Sequence, residues 1–107
     1  MATDGKRSLH IVLWSDNDTA LEELWARTPY NRQALMNLAI RRWLRGEREM
    51  KTPTMRETGR NIQLRMLPED VEALDELRDQ TPYDRQTLIN MAIRDFLERV
   101  QRKEIVI

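Results

Sequence analysis

The sequence predicts a mainly α fold with one short two-stranded antiparallel ribbon, built from two tandem strand–helix–helix units that pair within the chain as an intramolecular pseudo-dimer. Three observations lead there. "TPYNRQALMNLAIRRWL" (28–44) and "TPYDRQTLINMAIRDFL" (81–97) are nearly one segment written twice, 53 residues apart. The same shift lays "LHIVLWSDNDTALEELWAR" (9–27) over "IQLRMLPEDVEALDELRDQ" (62–80), where Ala20/Ala73, Leu21/Leu74, Glu23/Glu76 and Leu24/Leu77 coincide. Each copy also opens on a period-2 pattern. A solenoid needs three or more repeats to bury a continuous core, so two copies in 107 residues point to a fused dimer. The expected units are 8–45 and 61–100, joined by a linker at 46–60 and followed by a short tail at 101–107.

In the second copy Ile62, Leu64 and Met66 alternate with Asn61, Gln63 and Arg65. In the first, Leu9, Ile11 and Leu13 alternate with Ser8, His10 and Val12. Such alternation buries one face of a strand and leaves the other wet. A lone strand has unpaired edges and little independent stability, so the two strands are expected to pair with each other. A helix follows each strand. Pro68 suits a first helical turn, and Glu69 and Asp70 suit the positive end of its dipole; Ser15 or Asp16 is the expected N-cap of the matching helix. Leu21 and Leu24, and Val71, Leu74 and Leu77, form the apolar stripes. Both helices should stop at "TPY", where proline pushes its predecessor out of helical space.

Asn31 and Asp84 read as N-caps of a second, longer helix. Its apolar stripe is Leu35, Leu38, Ala39, Ile40, Trp43 and Leu44 in one copy and Leu88, Met91, Ala92, Ile93, Phe96 and Leu97 in the other. The spacing places Trp43 and Phe96 in the core. One unit of this size cannot close a core of its own, whereas two with interlocked long helices can. The linker "GEREMKTPTMRETGR" (46–60) has no strong period. Fully extended it reaches about 50 Å, ample for returning the chain to the second strand. The apolar "EIVI" (104–107) is uncommitted and has the composition to add a strand or a contact between molecules.

The formal net charge is zero, but it is zoned. Residues 9–30 carry four acids against Arg27; residues 31–60 carry eight bases against three acids; residues 61–80 carry six acids against Arg65 and Arg78. Cysteine is absent, which excludes disulfides and thiolate chemistry and suits a reducing cytoplasm. No run approaches the roughly 20 apolar residues of a membrane span, and residues 1–10 lack the apolar core of a signal peptide. With one histidine, no glycine-rich phosphate loop and no metal-ligand cluster, neither catalysis nor a cofactor nor a metal is expected.

The order strand, helix, turn, helix, with "IQLRMLPEDVEALDEL" followed by "DRQTLINMAIRDFLER", resembles the ribbon-helix-helix family of DNA-binding proteins, which includes the Arc and methionine repressors. The resemblance covers residues 8–45 and 61–100. A tandem pair in one polypeptide is similar to the TraY-type relaxosome proteins of conjugative plasmids. The resemblance implies that the paired ribbon enters the major groove of double-stranded DNA, where each base pair shows a distinct pattern. Carried over by position, the base readers are Asn61, Gln63 and Arg65 in copy 2 and Ser8, His10 and Val12 in copy 1. Arginine pairs with guanine and amides with adenine, so copy 2 has the better reading chemistry. Two different strands imply an asymmetric subsite rather than a palindrome.

The resemblance also implies phosphate binding at the start of the second helix, through Asn31, Arg32 and Gln33 and through Asp84, Arg85 and Gln86, where free N–H groups and the dipole favour an anion. Lys6 and Arg7 precede the first strand and are expected to reach phosphates. Asp84 caps well, but its charge repels phosphate, so that end is expected to hold DNA more weakly than its twin. The expected function is thus a sequence-specific DNA-binding protein, a transcriptional repressor of phage or plasmid context, monomeric and able to associate on adjacent subsites. A relaxosome accessory protein and an autorepressing antitoxin are the rivals within that mechanism. The rival outside it is a protein-interaction module that has lost DNA binding, for which the zero net charge and the weak first strand speak.

Overall fold

The computed structural model describes residues 7–46 and 59–106. Lys6 and most of the expected linker lie outside the described residues. The order is β1 (Arg7–Trp14), α1 (Ser15–Arg27), α2 (Arg32–Arg45), β2 (Gly59–Met66), α3 (Pro68–Gln80) and α4 (Arg85–Gln101). The fold is mainly helical, with four helices and one two-stranded antiparallel sheet among the described residues.

Alternation decides the faces of the ribbon. Ile11, Leu13, Leu64 and Met66 are buried, Leu9 and Ile62 pack against the same core, and Ser8, His10, Asn61, Gln63 and Arg65 are exposed. In the register His10 faces Gln63, Ser8 faces Arg65 and Val12 faces Asn61. His10 and Gln63 are also the positions that the repeat superposes. The ladder is longer than the alternation suggests: β2 starts at Gly59, two residues before the expected strand, and Gly59 pairs with Trp14. A Cβ on Gly59 would lie 2.5 Å from the Leu13 carbonyl oxygen, so only glycine allows the chains to meet there.

Neither first helix has a side-chain cap, and α3 starts on Pro68 as expected. Helix α1 begins at Ser15 with Trp14 as its N-cap residue, and α3 begins at Pro68 after Leu67, neither with a capping side chain. The expectation of Ser15 or Asp16 as the cap is therefore corrected. The strand runs straight into the helix, and the boundary falls on a residue that the core fixes. The helix ends follow the proline rule: Thr28 and Thr81 are extended, with ψ 163° and 164°, as the residue before a proline must be. Asn31 accepts from Ala34 N–H at 2.8 Å, and Asp84 accepts from Thr87 N–H at 2.8 Å, so both second helices carry their expected caps.

The long helices α2 and α4 pack on each other. Leu35, Met36, Ala39, Ile40 and Trp43 meet Leu88, Ile89, Ala92, Ile93 and Phe96 in one core, into which α1, α3 and the inner ribbon face also pack. The tail adds no strand among the described residues. Helix α4 closes in a Schellman turn, with Glu104 N–H donating to Arg99 C=O and Lys103 N–H to Val100 C=O. Lys103 takes φ 63° there, and the turn delivers Ile105 into the core.

Candidate nucleic-acid interface

The outer ribbon face carries Ser8, His10 and Val12 beside Arg65, Gln63 and Asn61. All are exposed except the half-buried Val12. Gln63 Nε2 donates to Ser8 Oγ at 2.9 Å, so the two strands are bridged on this face as well as through their backbones. The six residues that the sequence suggests as base readers thus form one continuous surface.

The starts of α2 and α4 flank that surface crosswise, each beside the strand of the other copy. Asn31, Arg32 and Gln33 line a recess together with Arg60, Asn61 and Gln63, and Trp25 closes its outer wall. Trp25 is 47% exposed and Tyr30 42%. On the far side, Gln86 of α4 reaches the backbone of Val12.

The glutamines have a task that their positions in the sequence do not announce. Gln33 donates to Gln63 C=O at 2.6 Å and accepts from Arg65 N–H at 3.0 Å. Gln86 accepts from Val12 N–H at 2.8 Å. One turn further on, Asn37 donates to Arg65 C=O at 2.8 Å and Asn90 donates to Val12 C=O at 2.9 Å. A two-stranded ribbon has two open edges, each a row of unpaired backbone groups. These amides satisfy part of each edge and hold the ribbon against the helices. The Gln33 and Gln86 side chains are thus engaged with the ribbon backbone. The Asn31 and Asp84 side chains are likewise spent on their own helix ends.

One signal for this does lie in the sequence. Glutamine and asparagine recur four residues apart at the same place in both copies, Gln33/Asn37 and Gln86/Asn90, which puts each pair on one helix face. Asn90 goes furthest. It is fully buried, and besides Val12 it accepts from Trp14 N–H at 3.0 Å and from Asn17 Nδ2 at 3.2 Å.

The arginines at the helix starts are paired with acids of the preceding helix. Arg85 grips Asp75 with two bonds, at 2.6 and 2.7 Å. That bond, with Arg78 and Arg7 nearby, holds the Asp75 carboxyl below the ordinary carboxylate value and raises Arg85. Arg32 bonds Asp18, and Arg60 from β2 bonds the same Asp18 oxygen at 2.9 Å. The zoned charge of the sequence thus resolves into pairs between elements: Arg41 with Glu69 and Asp70, Arg94 with Asp16, and Arg60 also with Glu22.

No protein-family model, curated protein or solved structure matches the chain. Among the described residues no group of acids and histidine is arranged to hold a metal ion, and no helix is long and apolar enough to cross a membrane.

Proposed function

We propose that the chain is a sequence-specific double-stranded DNA-binding protein that lays its ribbon in the major groove, and that its two copies act as an intramolecular pseudo-dimer. One observation carries the reading: six side chains of the reading type share the outer face of a ribbon whose edges are locked by helix amides. The major groove admits a two-stranded ribbon, and a reader must be held rigidly for its hydrogen bonds to discriminate bases. The crosswise clamps support the pseudo-dimer. Helix α2 holds β2 and α4 holds β1, so neither copy keeps its own strand in place. Arg65, Gln63 and Asn61 are the principal readers. Ser8, His10 and Val12 supply the weaker half, and the subsite is asymmetric. Backbone N–H groups at the starts of α2 and α4, with Arg85 and Arg7, face the phosphates. Transcriptional repression is the output proposed for such binding.

Selection of bound duplexes from a random pool, with binding repeated at two salt concentrations, tests the reading. A recurring asymmetric motif is expected, with affinity that falls steeply with salt as counterions are released. Gln63→Ala combined with Arg65→Ala should abolish the motif preference, since a good bidentate base contact is worth about 1–3 kcal/mol. Failure to recover a motif, together with salt-insensitive binding, would send the search to a protein partner.

A further inference from the structure

The arginine–acid cluster beside β2 has a composition that its counterpart lacks. Arg32 and Arg60 come from different elements, α2 and β2, and both donate to Oδ1 of Asp18 in the first turn of α1. Glu22 lies 3.8 Å from Arg60. At the other end of the ribbon the equivalent positions are Arg85, Arg7, Val71 and Asp75. There Asp75 bonds Arg85 with Arg7 nearby, and Val71 is part of the core. The β2 end therefore has two acids against two arginines, and the extra acid is Asp18. Its side chain and that of Arg32 are each only about one fifth exposed, so the guanidinium is turned toward the carboxylate. Arg32 and Arg60 nonetheless line the same recess as the readers Asn61 and Gln63.

We infer that Asp18 is an internal counter-ion that holds Arg32 and Arg60 away from the DNA backbone and so sets a weak phosphate grip at the β2 end. The inference rests on the DNA-binding reading above. A carboxylate and a phosphate compete for the same donors, and charge-assisted bonds to either are similar in kind. Bonds that would neutralise phosphate are therefore made inside the protein instead. Binding at this end then depends on base readout by Asn61 and Gln63 more than on sequence-independent charge, which favours discrimination over affinity.

The test is the salt dependence of binding to the selected duplex, for wild type and for Asp18→Asn, with Asp18→Ser as a second variant and thermal unfolding to confirm folding. Asp18→Asn should bind about 3- to 10-fold tighter at low salt, and log K against log salt should steepen by about 0.9 for each additional phosphate neutralised. Adding Arg60→Ala should remove most of that increase. Glu23→Gln, which changes the net charge equally at an exposed position of the same helix, should tighten binding clearly less. Intact wild-type binding with an Asp18→Asn affinity that is unchanged, reduced, or raised no more than by Glu23→Gln would overturn this inference alone. Absence of salt-dependent binding by wild type would overturn the DNA reading and this inference with it.

Discussion

Asn90 and Asn37 stand at equivalent positions of the repeat and do the same job on opposite edges of the ribbon, yet their surroundings differ. Asn90 is fully buried and bonds Val12, Trp14 and Asn17. Asn37 is half-buried, and its bond to Arg65 C=O is exposed. The corner residues differ as well. Trp14, whose N–H bonds Asn90, is buried, and the Arg94 guanidinium lies 5.1 Å from its ring centre. At the other corner stands the smaller, half-buried Leu67. Beside Asn90 stands the neutral Asn17, which donates to it, whereas the equivalent Asp70 lies 3.7 Å from Arg41. Equivalent residues thus carry unequal energy, because a hydrogen bond lost in the interior leaves partners that water cannot reach.

The largest expected effect breaks that comparison directly. Asn90→Ala leaves the Trp14 N–H and Val12 C=O without their partner and should cost about 3 kcal/mol, while Asn37→Ala should cost about 1 kcal/mol or less. Chemical denaturation of the two variants measures the gap; equal losses would show that burial at the Trp14 corner is not what separates them.

Next in size are the caps, which are the same in both copies and should behave alike. Asn31→Ala and Asp84→Ala should each lower stability by about 1 kcal/mol, read as parallel shifts in the denaturation midpoint. A much larger loss at either would mean that the cap also supports the ribbon. A third substitution works in the opposite direction. Lys103 holds a left-handed conformation that glycine adopts without strain. Lys103→Gly should therefore raise stability by up to about 1 kcal/mol in a thermal melt, as relief of left-handed strain outweighs glycine's entropic cost, and a loss would mean that the Lys103 side chain makes stabilising interactions of its own.

The smallest effect concerns the arginine pairs at the helix starts. The folded Asp75 carboxyl is held below its ordinary value of 3.8, first by the Arg85 hydrogen bond. Its contribution is full above that value and is lost as pH falls through the lower folded one. The stability difference between wild type and Asp75→Asn should accordingly be modest near neutrality, because the pair is partly solvated, and should vanish in strong acid. Melting curves from about pH 6 down to about pH 2 span the titration of a carboxylate in both states. A difference that persists in acid would assign the role of Asp75 to packing instead of charge.

How much of the fold is legible follows from where its information sits. The outer ribbon face, the apolar stripes of α2 and α4, the Asn31 and Asp84 caps and the TPY breaks are local patterns, each set by a period of two or 3.6 residues or by one proline. The start of α1 is not, because no local signal marks a helix that continues directly from a strand, whereas Pro68 marks the start of α3. The ion pairs are hidden for another reason: Asp18 and Asp75 are not equivalent positions of the repeat, so no shift of the sequence aligns them. The amide clamps are only partly legible: the Gln33/Asn37 and Gln86/Asn90 spacing recurs, but an amide on a helix face is ordinarily solvated, and only a strand edge brought against it turns it into a clamp.

By itself, then, the sequence determined the elements, their buried faces and the six side chains that the ribbon turns outward, since alternation and helical spacing act within a few residues along the chain. Only the tertiary structure decided what holds that face in place. Gln33, Asn37, Gln86 and Asn90 meet backbone groups some 28 to 78 residues away, and Asp18 gathers arginines from two other elements. A hydrogen bond or ion pair is fixed by distance and solvent access, and neither exists until the long helices pack and bring α2 against β2 and α4 against β1.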